Sequence, residues 1–354
     1  MKNILILRRG LLGDSLVAIP ALRLIKDTFP DSCIHYVSDH HPGKSFISPK
    51  SVFFNLNLVD SFSNWSVGRS IIFRIISLLS LIKTLRKVDW DMAILLERNN
   101  RGILHIKSQK FFLSLCGAKH IVVDNLKVGK TRDEKGKLLY LDHESDYLLG
   151  LLYKNNINPS HLFDPLKEIQ IVPNKDINKK IDLWIERHDL SGTRLVAIAS
   201  NTNMPVKKWP MERYIKCINI LKDVYNITPI FIGSETEIEI TRPLVESTNG
   251  IMAMGVFSIL ETVALLRKCS LYLGNDTGSH HLASAAGIPC VVIFSSRDNP
   301  GKWYPYGTSH EVLRTNVDCE GCMLYECSKV PTCIQQITVD MAVDACKKVL
   351  NSKL

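Results

Sequence analysis

Residues 270–303, SLYLGNDTGSHHLASAAGIPCVVIFSSRDNPGKW, constrain the fold more than any other stretch. Ser270 to Leu273 is a short apolar run without helical period, and Gly274 ends it. The loop Asn275-Asp276-Thr277-Gly278-Ser279 then opens a helix that Gly287 closes and Pro289 keeps from continuing. A second apolar run and a second polar loop follow. Strand, polar loop, helix and strand in so few residues is the unit of an open parallel α/β sheet. In such sheets, ligands bind outside the carboxyl ends of the strands. Backbone N–H groups at the helix start suit an anion such as a phosphate, and an ordinary capped connection has the same residues.

The same alternation runs through the chain. Residues 3–8 form the first strand, and a helix follows whose apolar positions Leu16, Ile19, Leu22 and Ile25 recur at helical spacing up to Pro30. CIHYVS (33–38) is the next strand, and VFFNLNLVD is expected to be another. Residues 68–87 are apolar over a broad face, with Arg69, Arg74, Lys83, Arg86 and Lys87 elsewhere. A helix resting on a membrane surface has this pattern. A crossover helix covering the sheet is favoured, because the segment lies between two predicted strands. DWDMAILLE (89–97) is a strand whose Asp89 and Asp91 stand at its amino end, the wrong edge for a ligand. A helix at 103–116, strand HIVVD and a helix at 141–153 complete the first half.

From about 154 to 175 the chain loses period and gains Asn and Pro, as an interdomain connection does. A helix around 175–188 leads to strand LVAIAS, the loop NTNMPVKKW, and a helix whose first position is Pro210. Strand TPIFIG is followed by Ser234-Glu235 and a helix, GIMAMG leads to a helix with a Ser258/Glu261 capping box, and Thr338 to Leu350 closes the chain. The expected fold class is α/β, with two Rossmann-like doubly wound domains. They are residues 1–170 and 171–354.

The net charge of +9 calls for an acidic partner. The basic residues are spread along the chain, with no arginine-rich run, zinc-finger spacing or RNA-binding signature, so nucleic acid is excluded in favour of a small anionic substrate or an anionic membrane. The basic loop 127–137, with Lys130 and Arg132, is either a solvated surface loop or a clamp on an anionic acceptor. The apolar start Ile4–Leu7 is too short for a signal peptide and leads into Arg8-Arg9, and the greasy run Ile75–Ile82 is far below the ~20 residues that span a bilayer. A cytoplasmic chain is expected, either free or peripheral on the inner membrane. Ten cysteines in that compartment argue against a disulfide framework. Cys319, Cys322, Cys327 and Cys333 are clustered, either as a metal site or, with a spacing wider than a zinc ribbon's, as a reduced structural cluster.

The ligand loops hold a short inventory. Gly13-Asp14 at the first helix start supplies a carboxylate that the helix dipole keeps ionised. Thr202, Asn203, Lys207 and Lys208 follow the second domain's first strand. Glu235 stands where an acid accepts a hydrogen bond from a ribose hydroxyl in dinucleotide sites, and Asp276, Thr277, Gly278 and His281 complete the set.

LLGDSLVAIPAL near the amino end, KKWP, GSE after a strand, NDTGSHHLASAAGIPCVVIF and the W-x-P-Y-G of Trp303 to Gly307 occur in one order along nearly the whole chain. Together they resemble glycosyltransferase family nine, the ADP-heptose:lipopolysaccharide heptosyltransferases. The resemblance implies a GT-B fold of two Rossmann-like domains facing across a cleft, residues 1–170 acceptor-binding and residues 171–354 donor-binding, with the final helix able to pack back on the first domain. It implies inverting transfer of a heptose or related sugar from a nucleotide-diphosphate donor, most often ADP-heptose, to a lipopolysaccharide core or related acidic glycolipid, with no metal or other cofactor required. It also implies Asp14 as general base, Lys207 against the donor diphosphate, Glu235 at the ribose, and Asp276, Thr277, Gly278 and His281 in the donor loop. The family's usual Pro-Gly before a small residue is replaced here by Ser200-Asn201-Thr202-Asn203, and His280 replaces a smaller or apolar residue. A nucleotide-sugar epimerase on the same fold and a non-catalytic nucleotide-sugar-binding adaptor are the competing readings.

Overall fold

A computed structural model describes residues 2–40, 47–66, 70–98, 102–124 and 131–352. The chain divides into two compact units, residues 1–130 with 142–169, and residues 131–141 with 170–354. The segment 131–141, expected in the first domain, thus belongs to the second unit.

The first unit begins with β1 (Asn3–Leu7), α1 (Leu12–Leu16), α2 (Ile19–Thr28) and β2 (Cys33–His40). The single helix expected over Leu16 to Ile25 is two, because Pro20 in the first turn of α2 has no N–H to give the carbonyl of Leu16. Then come α3 (Pro49–Phe53), β3 (Ser61–Ser66), α4 (Ile71–Leu85), β4 (Met92–Leu95), α5 (Ile103–Leu115), β5 (His120–Val122), α6 (Glu144–Lys154) and α7 (Pro165–Glu168). VFFNLNLVD is not a strand. Ser48 caps α3 and Pro49 starts it, a 3-10 turn covers Phe54–Leu56, and Asn57 at φ 54° stops it. The strand is instead the polar SFSNWS of β3, which tolerates serines because it lies at the sheet edge, where His35 bridges the hydroxyls of Ser61 and Ser63 at 2.7 and 2.9 Å.

The first sheet is fully parallel, in the order β3-β2-β1-β4-β5. Its central strands β1 and β4 are buried on both faces and so read as continuous apolar runs, such as Ile4 to Leu7. One face packs α4 and α5 through Leu81, Leu85, Phe112 and Leu113 onto Leu5, Leu7, Val37 and Leu95. As expected of a crossover helix, α4 covers the sheet, yet it does so with one stripe only, and its amino-terminal half is exposed.

The second unit contains α8 (Lys175–Arg187), β6 (Arg194–Ala199), α9 (Met211–Tyr225), β7 (Ile227–Phe231), α10 (Ile238–Ser247), β8 (Ile251–Met252), α11 (Ile259–Leu266), β9 (Leu271–Asn275), α12 (Gly278–Ala285), β10 (Cys290–Ile293), β11 (Glu311–Leu313) and α13 (Val339–Asn351). The Ser258/Glu261 capping box at α11 is formed, with the Ser258 N–H donating to Glu261 Oε2 at 2.8 Å. The sheet is parallel, in the order β11-β10-β9-β6-β7-β8. Counted from β6 this is 3-2-1-4-5-6, the dinucleotide-binding order. The closing helix α13 packs within this unit, burying Ala342, Val343, Cys346 and Leu350 against β-strand residues and α9. Trp209 anchors the same core, fully buried, with its indole N–H on the Ile337 carbonyl at 2.9 Å and its ring edge-on to Tyr214.

Candidate functional site

In both sheets the strand order reverses beside the first strand, between β1 and β4 in one and between β6 and β9 in the other. Connections on either side of such a switch point leave to opposite faces, which opens a crevice at the carboxyl ends. Each crevice holds an ion pair.

In the first unit the pair joins Asp14 of α1 to Arg98, just after β4. Arg98 Nε donates to Asp14 Oδ1 and Nη2 to Oδ2, both at 2.8 Å, a bidentate fork. The Leu11 N–H also donates to Asp14 Oδ2 at 2.9 Å, and the fully buried Arg8 fixes the backbone by donating to the Asp14 carbonyl at 2.8 Å. Gly10 makes this possible. Its φ of +145° favours glycine, and a Cβ there would lie 2.3 to 2.4 Å from the Asp14 carboxyl group. Burial disfavours the Arg98 charge, but the Asp14 carboxylate outweighs it and raises the guanidinium above its ordinary range. Beside the pair, Glu97 Oε2 lies 2.7 Å from His105 Nε2, and Arg9 Nη2 lies 3.2 Å from the same nitrogen. Burial pushes Glu97 upward, but the His105 bond, the Arg98 N–H and the nearby cations bring it below the usual carboxylate range.

In the second unit Lys207 Nζ, at the end of a 3-10 turn (Pro205–Lys207), lies 2.5 Å from Asp276 Oδ2, just after β9. Both side chains are largely buried. Asn275 ties the two loops together, with Nδ2 donating to the Ser200 carbonyl at 2.6 Å and Oδ1 accepting from the Trp209 N–H at 3.3 Å. Thr277 caps α12, its N–H donating to His280 Nδ1 at 3.2 Å and its hydroxyl 2.7 Å from Ser279 Oγ. Gly278 is the first residue of α12, and His281 is buried beside His280, their ring centroids 3.9 Å apart. Trp303 and Tyr306 of the W-x-P-Y-G stretch accept from the helix through their carbonyls, at 3.0 Å from His280 Nε2 and from Ser284 Oγ. The replacement His280 is thus a packed, hydrogen-bonded residue. Its complete burial lowers it to about 4, more than Asp276 and the Trp303 bond raise it.

Of the other expected donor residues, Thr202, Asn203 and Glu235 lie at the carboxyl edge of the same sheet. Thr202 Oγ1 accepts from the Met204 N–H at 3.2 Å, and the Asn203 carbonyl accepts from the Tyr325 hydroxyl at 2.7 Å. Tyr325 also accepts from the Val206 N–H at 3.2 Å, so the cysteine-bearing segment braces the loop that carries Lys207. Glu235 is exposed at the start of a 3-10 turn after β7, beside a Ser234/Glu237 capping box. Gly13 lies within α1. Lys130 falls outside the described residues. Arg132 donates at 2.6 Å to each of the Gly136 and Glu320 carbonyls, bonds that fix the chain of the second unit. The four clustered cysteines are free and half-buried, and Cys333 Sγ accepts from the Ser296 N–H at 3.3 Å. Among the described residues no three His, Cys, Asp or Glu side chains are placed to hold a metal ion. Asp89 and Asp91, at the amino edge, pair with Lys119 at 2.7 and 3.5 Å.

Residues 171–332 match the model of a family described as glycosyltransferase family 9 (heptosyltransferase). The match spans just under half of the chain, lies within the second unit, and marks a glycosyltransferase family 9 domain there. It is 24% identical over 328 residues to the lipopolysaccharide core heptosyltransferase OpsX of Haemophilus influenzae, covering 88% of this chain and 84% of that protein. Its fold resembles that of a family 9 glycosyl transferase from Veillonella parvula, with a TM-score of 0.74, 19% identity, and coverage of 99% and 98% of the two chains. It also resembles the E. coli heptosyltransferase WaaC solved with ADP-2-deoxy-2-fluoro heptose, with a TM-score of 0.63, 16% identity, and coverage of 99% and 100%. The architecture is therefore GT-B, and the enzyme is a heptosyltransferase-like glycosyltransferase.

Arg98, Glu97, His105, Gly10, Asn275 and Tyr325 are the site residues that pattern reading passes over. The signal for two of them was in view, since Glu97 and Arg98 are charges at the carboxyl end of a buried strand.

Gly10→Ala is expected to displace the Asp14 carboxylate and cost about 1–3 kcal/mol of first-unit stability, read by urea unfolding; wild-type stability would show that the loop accommodates a Cβ. His280 makes stability pH-dependent. With its folded pKa below the ordinary 6.5, stability is complete above that value and falls as pH drops towards 4, by up to about 3 kcal/mol. Unfolding midpoints of wild type and His280→Gln between pH 7.5 and 4.5 are expected to converge at acid pH (roughly the His titration range).

Proposed function

We propose that this glycosyltransferase is an inverting, metal-independent heptosyltransferase that moves a heptose from ADP-heptose to a lipopolysaccharide core or related acidic glycolipid, working in peripheral contact with the cytoplasmic face of the inner membrane. The observation that carries the reading is the placement of a carboxylate and a lysine, Asp14 and Lys207, at the switch points of two parallel sheets. The family match and the likeness to OpsX support the sugar and the acceptor class.

In this mechanism Asp14 takes the proton from the acceptor hydroxyl as its oxygen attacks the anomeric carbon, and the bond to the donor diphosphate breaks on the opposite face. The departing diphosphate gathers charge against Lys207 and the N–H groups at the start of α12, with Gly13, Thr202, Asn203, Thr277, Gly278 and His281 around the donor and Glu235 at the ribose. Asp276 holds Lys207 until the diphosphate takes its place. Arg98 holds the Asp14 carboxylate in orientation, and releases one of its oxygens to the acceptor. Lys130 and Arg132 are assigned to the acidic acceptor, with Arg132 exchanging one carbonyl partner for it.

Asp14→Asn is expected to lower turnover by roughly 10²-fold or more with donor affinity little changed, and near-normal turnover would remove it as the base. Lys207→Ala should reduce both rate and donor binding, and unchanged kinetics would reassign the leaving-group charge. In a thermal-shift screen, ADP-heptose at saturating concentration should stabilise the protein by about 2.7 kcal/mol at a hundredfold its Kd, with GDP- and UDP-hexoses inert. Donor turnover with no acceptor present would mark an epimerase instead.

A further inference from the structure

Helix α4 carries two apolar stripes, and the sheet uses only one. Leu78, Leu81, Ile82 and Leu85 lie on one side and pack on the first unit's sheet. Ile71, Ile72, Ile75, Ile76 and Leu79 recur at helical spacing on another side and face outward, Ile71 and Ile72 at 74% and 71% exposure. Continuing that outward face toward the helix end brings up Lys83 and Arg86, with Lys87 next to them, all exposed. α5 repeats the arrangement on the same sheet face. Phe112 and Leu113 point inward, while Leu104, at 83% exposure, and Phe111 and Leu115 form an outer stripe flanked by Lys107 and Lys110.

Neither helix contains an acidic residue. An outward surface of large aliphatic side chains, on helices whose own charges are all cationic, matches the headgroup and acyl boundary of an anionic bilayer. α4 is 15 residues long and α5 is 13, and no helix among the described residues is long and apolar enough to cross a membrane, so the helices lie along the surface. A second copy of the chain is a poorer occupant. An isologous contact sets the same patch against itself and offers its cations no anionic partner from either helix.

We propose that the outer faces of α4 and α5 are the surface by which this enzyme docks on anionic phospholipid membranes, with the aliphatic stripes entering the interface and Lys83, Arg86, Lys87, Lys107 and Lys110 meeting lipid phosphates. The inference names the surface for the peripheral contact proposed above. It is tested without donor or acceptor, so its outcome is separate from that of the transfer reaction.

The purified full-length protein is to be co-sedimented with vesicles of equimolar phosphatidylcholine and phosphatidylglycerol, and with phosphatidylcholine alone. Preferential binding to the anionic vesicles, by about tenfold or more and reversed by salt, is expected. Ile72→Ser with Ile76→Ser should weaken it by at least about tenfold, and Lys83→Glu with Lys87→Glu by a similar factor, while circular dichroism and melting stay at wild-type values. The charge pair keeps the test valid if the serine variant misfolds. Equal partitioning onto both vesicles, no binding, or undiminished binding by the folded variants would overturn the proposal. So would a dimer in sedimentation velocity that the serine variant converts to monomer, since the face would then be a self-interface.

Discussion

The parallel sheet is the constraint on which the rest of the structure depends. Parallel strands put all their carboxyl ends on one edge, and a reversal of strand order leaves a gap there that no connection crosses. Both sheets of this chain reverse next to their first strand, and both fill the gap with an ion pair, Asp14 with Arg98 and Lys207 with Asp276. Partly buried charges of this kind are held only because each has a partner and hydrogen bonds around it. Pairing orients the groups while leaving each exchangeable for a charged substrate group, as the transfer proposed above requires.

The supporting contacts show how rigidly this edge is built. Asn275 spans the β9 and β6 loops, and Tyr272 and Thr277 both reach Ser279 at 2.8 and 2.7 Å. The carbonyls of Trp303 and Tyr306 brace α12 from the side. Tyr325 braces the Lys207 loop, which gives the cysteine-bearing segment a structural task. In the first unit, Gly10 and Arg8 play the corresponding part by bringing the backbone against Asp14. The aliphatic outer stripes of α4 and α5 contrast with all this, because they are exposed among the described residues.

Much of the architecture was legible because fully buried strands and capped helices leave strong local marks. LVAIAS, the Ser258/Glu261 box and the Gly274 to Pro289 stretch became β6, the start of α11, and the β9–α12 connection. VFFNLNLVD misled because an apolar run of strand length also suits a short helix that buries Val52 and Phe53, and the strand itself lies at an edge where serines suffice. The Leu16 to Ile25 period survived the break at Pro20 because Leu16, Ile19, Leu22 and Ile25 are all fully buried on either side of it. Residues 131–141 show the limit of linear reading, since their bonds to Pro300 and Glu320 join them to a unit that otherwise starts much later in the chain.

The sequence by itself determined the alternating α/β class, the strand ends on which Asp14, Lys207 and Asp276 stand, and the helix start at Gly278, because periodicity and capping act over a few residues. The tertiary structure alone decided the partners: Arg98 on Asp14, Asp276 on Lys207, Gly10 under the carboxylate, and which of the two apolar stripes of α4 is buried. Those choices depend on strand order, which brings residues 84 positions apart in the chain into one hydrogen-bonded fork. No local pattern encodes that order.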